Sequence, residues 1–111
     1  MSNLYDIESK DDCREKIDEL LEVCHRTEQV MNKETVAGLK NRLKEYYKMG
    51  DTNKGSDQMS PVERAFFYPA IRDAYVRSPK LNSPKTWREG LYEIESNLRY
   101  YRDQLGQSAP V

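Results

Sequence analysis

Between Lys10 and Met31 the less polar positions fall at Cys13, Ile17, Leu20, Cys24, Thr27 and Met31, in alternating steps of four and three residues, and Leu21 widens the stripe. Such spacing keeps one side chain per turn on a single face of a helix and leaves polar residues for the other side. Ser9 stands where an N-cap belongs, and Asp11 and Asp12 suit the positive end of the helix dipole. A second stripe, Val36, Leu39, Leu43 and Tyr46, predicts a helix over 33–49. Asn32 caps it, and Met31 and Val36 occupy the two positions of a hydrophobic staple around that cap. The connection is therefore almost absent, and the first two helices are expected to form a tight hairpin. Gly38 weakens the second helix slightly, and Gly50 is placed to end it. Residues 50–59 are polar, aperiodic and carry two glycines, which predicts a loop.

Ser60-Pro61-Val62-Glu63 combines a capping serine, a proline at the first helical position and a glutamate that reaches back to the cap. A third helix over 61–77 follows. Pro69 lies inside it, removes one backbone donor and crowds the carbonyl of Ala65, so a kink or break near Phe67 and Tyr68 is expected. Val62, Phe66, Phe67, Tyr68, Ala70, Ile71, Ala74, Tyr75 and Val76 cover more than one face of this helix. Either it is the buried centre of the fold, or it offers a second apolar face to a partner or to another copy of itself. Ser78-Pro79 ends it. Ser83-Pro84 opens a fourth helix over 84–105 with the stripe Trp87, Leu91, Ile94, Leu98, Tyr101 and Leu105, and Gly106 is its expected stop. No strand-like alternation appears. The pattern predicts an all-α, single-domain bundle of about four helices over residues 1–111. A short arm (residues 1–8) precedes it, whose Leu4, Tyr5 and Ile7 are able to dock, and a frayed tail (107–111) follows.

A chain of 111 residues is long enough for one core without staples. It is 33% charged, but its net charge is only −1 and it carries eleven aromatic residues, which is not the composition of a disordered chain. The near-zero charge argues against attraction of the whole protein to nucleic acid or to an anionic membrane. The first 31 residues nevertheless sum to −5 and the remainder to +4, so the two parts are expected to attract each other within the bundle. Cys13 and Cys24 share a helix face about 16 Å apart along the axis, too far for a disulfide. No apolar run approaches 18 residues and no signal-peptide pattern opens the chain, so a cytoplasmic protein with reduced thiols and no membrane contact is expected.

Little in the chain carries catalytic chemistry. His25 is the only histidine. With Glu28 it has the spacing used in carboxylate-bridged metal sites, but those need a second such histidine. Cys24 and His25 are adjacent, so on a helix their side chains diverge by about 100°. The carboxylate pairs Asp11/Glu15, Asp18/Glu22 and Glu89/Glu93 lie on polar helix faces, and neither Gly50 nor Gly55 leads into a phosphate loop. A non-catalytic protein without metal or cofactor is expected. Recognition chemistry is more plentiful, with eight tyrosines lying among many arginines and lysines. On the fourth helix, Arg88, Tyr92, Glu95, Arg99 and Arg102 recur along one flank of the core stripe; the plainer account of them is ion pairing of Glu95 with Arg99. These patterns predict an adaptor or regulator that binds a protein partner through Phe66, Tyr68 and Arg72 on the third helix and Arg88, Tyr92 and Arg99 on the fourth. A homodimer through the third helix fits the same pattern. The alternative is a nucleic-acid-binding module using the basic, tyrosine-containing surface of helices two and four, around Arg42, Tyr47 and Lys48.

Overall fold

A computed structural model describes residues 7–53 and 59–107. They form four α-helices: α1 (Lys10–Gln29), α2 (Lys33–Asn53), α3 (Tyr68–Tyr75) and α4 (Trp87–Gln107). A π-helical turn, Glu63–Phe67, leads into α3, and two 3-10 turns, Ser78–Asn82 and Pro84–Thr86, join α3 to α4. No strand occurs among the described residues. Residues 1–6, with Leu4 and Tyr5 of the arm, and 108–111 of the tail lie outside them, as do 54–58 of the expected loop.

The helix starts follow from their caps. Ser9 Oγ accepts from the Asp12 amide at 3.1 Å, and the Asp12 carboxylate accepts from the Ser9 amide at 3.2 Å, a reciprocal box at the head of α1. Asn32 and Thr35 form the same kind of box at the head of α2, at 3.0 and 3.1 Å. Thr35 Oγ1 also donates to the Val30 carbonyl at 2.6 Å, which ties the end of α1 to the start of α2. α1 therefore stops at Gln29 rather than Met31, because Val30 has already left helical geometry (φ −132°, ψ 82°).

Four other local features differ from the sequence expectation. α2 runs to Asn53, through Gly50, which is no stop. A Cβ at position 50 would lie 2.4 Å from Tyr68 Cδ1, so this glycine is a notch that admits a ring, and the expected loop begins later. At the start of the third segment, Ser60 Oγ accepts from the Glu63 amide at 3.1 Å, but the buried Glu63 carboxylate makes no bond back to the Ser60 amide. The Ser60 hydroxyl donates instead to the Ile7 carbonyl at 2.6 Å and fastens the buried Ile7 to the bundle. Pro69 is met by a widened turn in which the Tyr68 amide bonds the Glu63 carbonyl five residues back. The extra residue in that turn opens room for a ring that a regular helix would press against the Ala65 carbonyl. Finally, the fourth helix opens with a 3-10 turn, becomes α-helical only at Trp87, and passes through Gly106 to Gln107.

The buried stripes are those the periodicity marks. Cys13, Ile17, Leu20, Cys24 and Thr27 of α1, Val36, Leu39, Leu43 and Tyr46 of α2, and Leu91, Ile94, Leu98 and Leu105 of α4 are all buried. α3 packs on both α2 and α4, and α4 packs on both α1 and α3. Most of the broad apolar surface of the third segment is therefore spent inside the fold: Phe67, Tyr68, Ala70, Ile71 and Ala74 are buried, Val62, Phe66 and Tyr75 are half-buried against the core, and Val76 is exposed. The shortest dimension of the molecule is 18 Å, about two helix diameters, which makes it a two-layer plate. The 3-10 turn Ser78–Asn82 is pinned to the head of α4. Trp87 Nε1 donates to the Leu81 carbonyl at 2.9 Å, Thr86 Oγ1 to the Lys80 carbonyl at 2.5 Å, and the turn lies so close that a Cβ on Gly90 would meet Lys80 Cβ at 2.8 Å.

Candidate functional site: the outer face of α4

The heptad-like flank of α4 comes to the surface along the seam with α1. Glu28 of α1 and Met31 of the turn that follows it line a shallow groove with Arg88, Leu91, Tyr92 and Glu95. Farther along the same seam, a second depression lies between Asp18, Leu21, Glu22 and His25 on one side and Glu95, Arg99 and Arg102 on the other. A third opens on the opposite side of Tyr92, between Arg77, Glu93, Ser96 and Asn97. Tyr92 therefore stands on a ridge between two depressions, and it is 71% exposed. Tyr100 lies two turns on, about 12 Å along the axis, and is 58% exposed, with the small Ser96 between them. In the Tyr100-Tyr101 doublet one ring is expected to face the core and its neighbour outward, and so it is: Tyr101 packs against the core and Tyr100 faces solvent. Its ring meets Tyr101 edge-on at 5.3 Å. Tyr101 in turn donates to Asp73 Oδ2 at 2.8 Å, and burial together with that carboxylate pushes the Tyr101 phenol up to about 12.

The charges around this ridge are largely matched. Arg99 Nη2 lies 3.0 Å from Glu95 Oε2 within α4, and Arg102 Nε lies 3.1 Å from Asp18 Oδ1 across the seam, joining the basic part of the chain to the acidic α1. Arg88 is exposed and enters no ion pair among the described residues. Beyond the third depression, Lys80 bonds Glu89 at 2.6 Å and Glu93 at 2.5 Å; these contacts raise the ammonium pKa and lower that of Glu89.

The six residues singled out from sequence are divided by the fold. Arg88, Tyr92 and Arg99 share the outer face of α4. Arg72 is exposed at the surface of α3, 3.4 Å from Asp73. Phe66 is half-buried with the Lys10 ammonium 5.6 Å from its ring centre. Tyr68 is only 8% exposed: its ring fills the Gly50 notch and its hydroxyl donates to Asp51 Oδ1 at 3.3 Å. Phe66 and Tyr68 thus serve the core, and they share none of the three depressions with the α4 residues. On α2, Tyr47 stacks on Tyr68 at 6.1 Å and on Tyr75 at 4.7 Å. Tyr47 is half-buried between α2 and the third segment.

Burial pushes the Cys13 and Cys24 thiols up to about 12, which leaves them protonated and poor nucleophiles. Among the described residues no group of three or more His, Cys, Asp or Glu side chains is placed to hold a metal ion, and no helix is long and apolar enough to cross a membrane. Comparison of the chain with known protein families, characterised proteins and solved structures finds no match.

Proposed function

We propose that this protein is a small non-catalytic adaptor or regulator that binds a protein partner, and that the partner seats on the outer face of α4. The observation that carries the reading is the Tyr92 ridge: a tyrosine open to solvent between two depressions, with Arg88 and Arg99 beside it on the same helix. Tyrosine buries a large area at the cost of two torsions, and arginine pairs with carboxylates through a planar fork. Both side chains are over-represented among the residues that dominate binding energy. Tyr100 extends the face by two turns. A reducing, cytoplasmic setting suits the two buried free thiols.

The nucleic-acid reading is weaker on geometric grounds. Tyr47 is half-buried and already stacks on Tyr68 and Tyr75, which compete with a base for its ring. A photo-crosslinking residue at the exposed Ser96 separates the readings. In the native cell it should yield one discrete protein adduct that survives nuclease and disappears when Tyr92→Ala is added. The same residue at Lys44, exposed on α2, should not give that adduct. A nuclease-sensitive adduct, or equal adducts at both positions, would overturn the proposal.

A further inference from the structure

A separate groove runs between the head of α2 and the 3-10 turns. Lys33, Val36, Ala37 and Lys40 are spaced i, i+3, i+4, i+7 and so form one face of α2. Leu81, Pro84 and Trp87 form the opposite wall, with Asn82 at one end. The floor is apolar, because Val36 and Leu81 are buried and Ala37 is too small to fill the space between the walls. Trp87 is held in place by its indole bond to the Leu81 carbonyl. The wall is therefore fixed before any ligand arrives, which lowers the ordering cost of binding.

The charge lining this groove differs from that of the α4 depressions. Each of those contains at least one carboxylate, whereas the only charged residues here are the two lysines. Lys40 donates to Asn82 Oδ1, which uses one of its three N–H groups and leaves two free. Lys33 is exposed and in no ion pair among the described residues, and the exposed Lys85 adjoins Pro84. Lys33 and Lys40 are seven residues apart, about 10 Å along the helix axis. In a peptide in the polyproline-II conformation, which has three residues per turn, residues three apart point to the same side and are separated by about 9 Å.

We infer that this groove binds an acidic peptide in the polyproline-II conformation, of the pattern acidic-apolar-apolar-acidic, its carboxylates meeting Lys33 and Lys40 and an apolar side chain lying between Ala37 and Trp87. The apolar floor supplies affinity and the lysine spacing supplies register. The site is independent of the α4 face, and either one can fail without the other.

Trp87 is the only tryptophan in the chain, so its emission reports on the groove directly. The probe is acetyl-Ser-Glu-Leu-Phe-Glu-Ser-amide, titrated into the full chain. Its scrambled form, acetyl-Ser-Leu-Glu-Glu-Phe-Ser-amide, is the register control, and a DNA oligonucleotide is the polyanion control. The first peptide should shift Trp87 emission saturably below about 1 mM. It should bind about tenfold more tightly than the scrambled form, and lose about tenfold in Lys33→Glu and in Ala37→Glu. Both substituted positions are exposed, and an unchanged far-ultraviolet spectrum establishes that the variants fold. No emission change up to about 1 mM, equal affinity for the scrambled peptide, undiminished binding by the two variants, or tighter binding of the oligonucleotide would each overturn the inference.

Discussion

Leu98 has no solvent exposure at the middle of α4, where the helix is packed between α1 and α3. Leu98→Ala should therefore cost about 2–5 kcal/mol in denaturant unfolding, the usual loss when a buried leucine is truncated in a core that relaxes only in part. A loss below about 1 kcal/mol would mean that the stripe does not face the core. Cys13 and Cys24 allow a different check. Their thiols titrate near 8.5 in an unfolded chain but are raised to about 12 in the fold by burial. Between those values the unfolded state loses protons that the native state keeps, so stability is fully present below about pH 8.5 and falls as pH rises toward 12. Cys24→Ala should flatten that alkaline decline, and a disulfide reagent at neutral pH should modify neither thiol until the protein unfolds. Rapid modification of the native protein would contradict the burial. At this scale core membership was legible from spacing, because one face of a helix has one fate. The use of each tyrosine was not. Tyr47 stacks on two rings seven residues apart in the third segment, while Tyr92 stands open, and nothing local to either residue distinguishes them.

The elements show where local signals give way to packing. Ser9, Asn32 and Ser60 each cap as the sequence implies, since a cap is settled within four residues. Gly50 is not a stop, because a glycine ends a helix only where the chain turns away, and here α2 runs on past it to Asn53; α4 reaches Gln107, one residue past Gly106 and the last described residue. At Pro69 the expected interruption near Phe67 and Tyr68 takes the form of a π turn that gives way to α3 at Tyr68, in a segment packed on both α2 and α4. Three glycine substitutions test this directly. Gly38 has open space around its missing Cβ, so Gly38→Ala should stabilise by about 0.5–1 kcal/mol through helix propensity alone. Gly50→Ala would press on the Tyr68 ring and Gly90→Ala on Lys80 Cβ, so both should destabilise, by about 1–3 kcal/mol, despite the same gain in propensity. Thermal unfolding of the three variants reads the signs, and stabilisation by Gly50→Ala would show that α3 does not lie against α2 as described.

In the molecule as a whole, the acidic first helix and the more basic remainder meet along the α1–α4 seam, where Asp18 and Arg102 pair. Exposed pairs of this kind contribute about 0–1 kcal/mol each, so the plate is held by its apolar layer and the seam is free to carry recognition. The existence of four helices was readable from the chain, since each carries its own period. The α4 face was only half readable: Arg88, Tyr92 and Arg99 emerged from the flank pattern, but the depressions beside them are made by α1 and by the α3–α4 junction, which no local pattern encodes. The central claim is that this face is built for a partner rather than for folding. The most direct test measures unfolding free energy and capture of the Ser96-crosslinked partner on one preparation of the Tyr92→Ala/Arg99→Ala double variant. Stability should stay within about 0.5 kcal/mol of the parent. Capture should fall at least about tenfold, as expected when two contact residues of about 1–2 kcal/mol are truncated together. Undiminished capture, or a stability loss of about 2 kcal/mol or more, would contradict the claim.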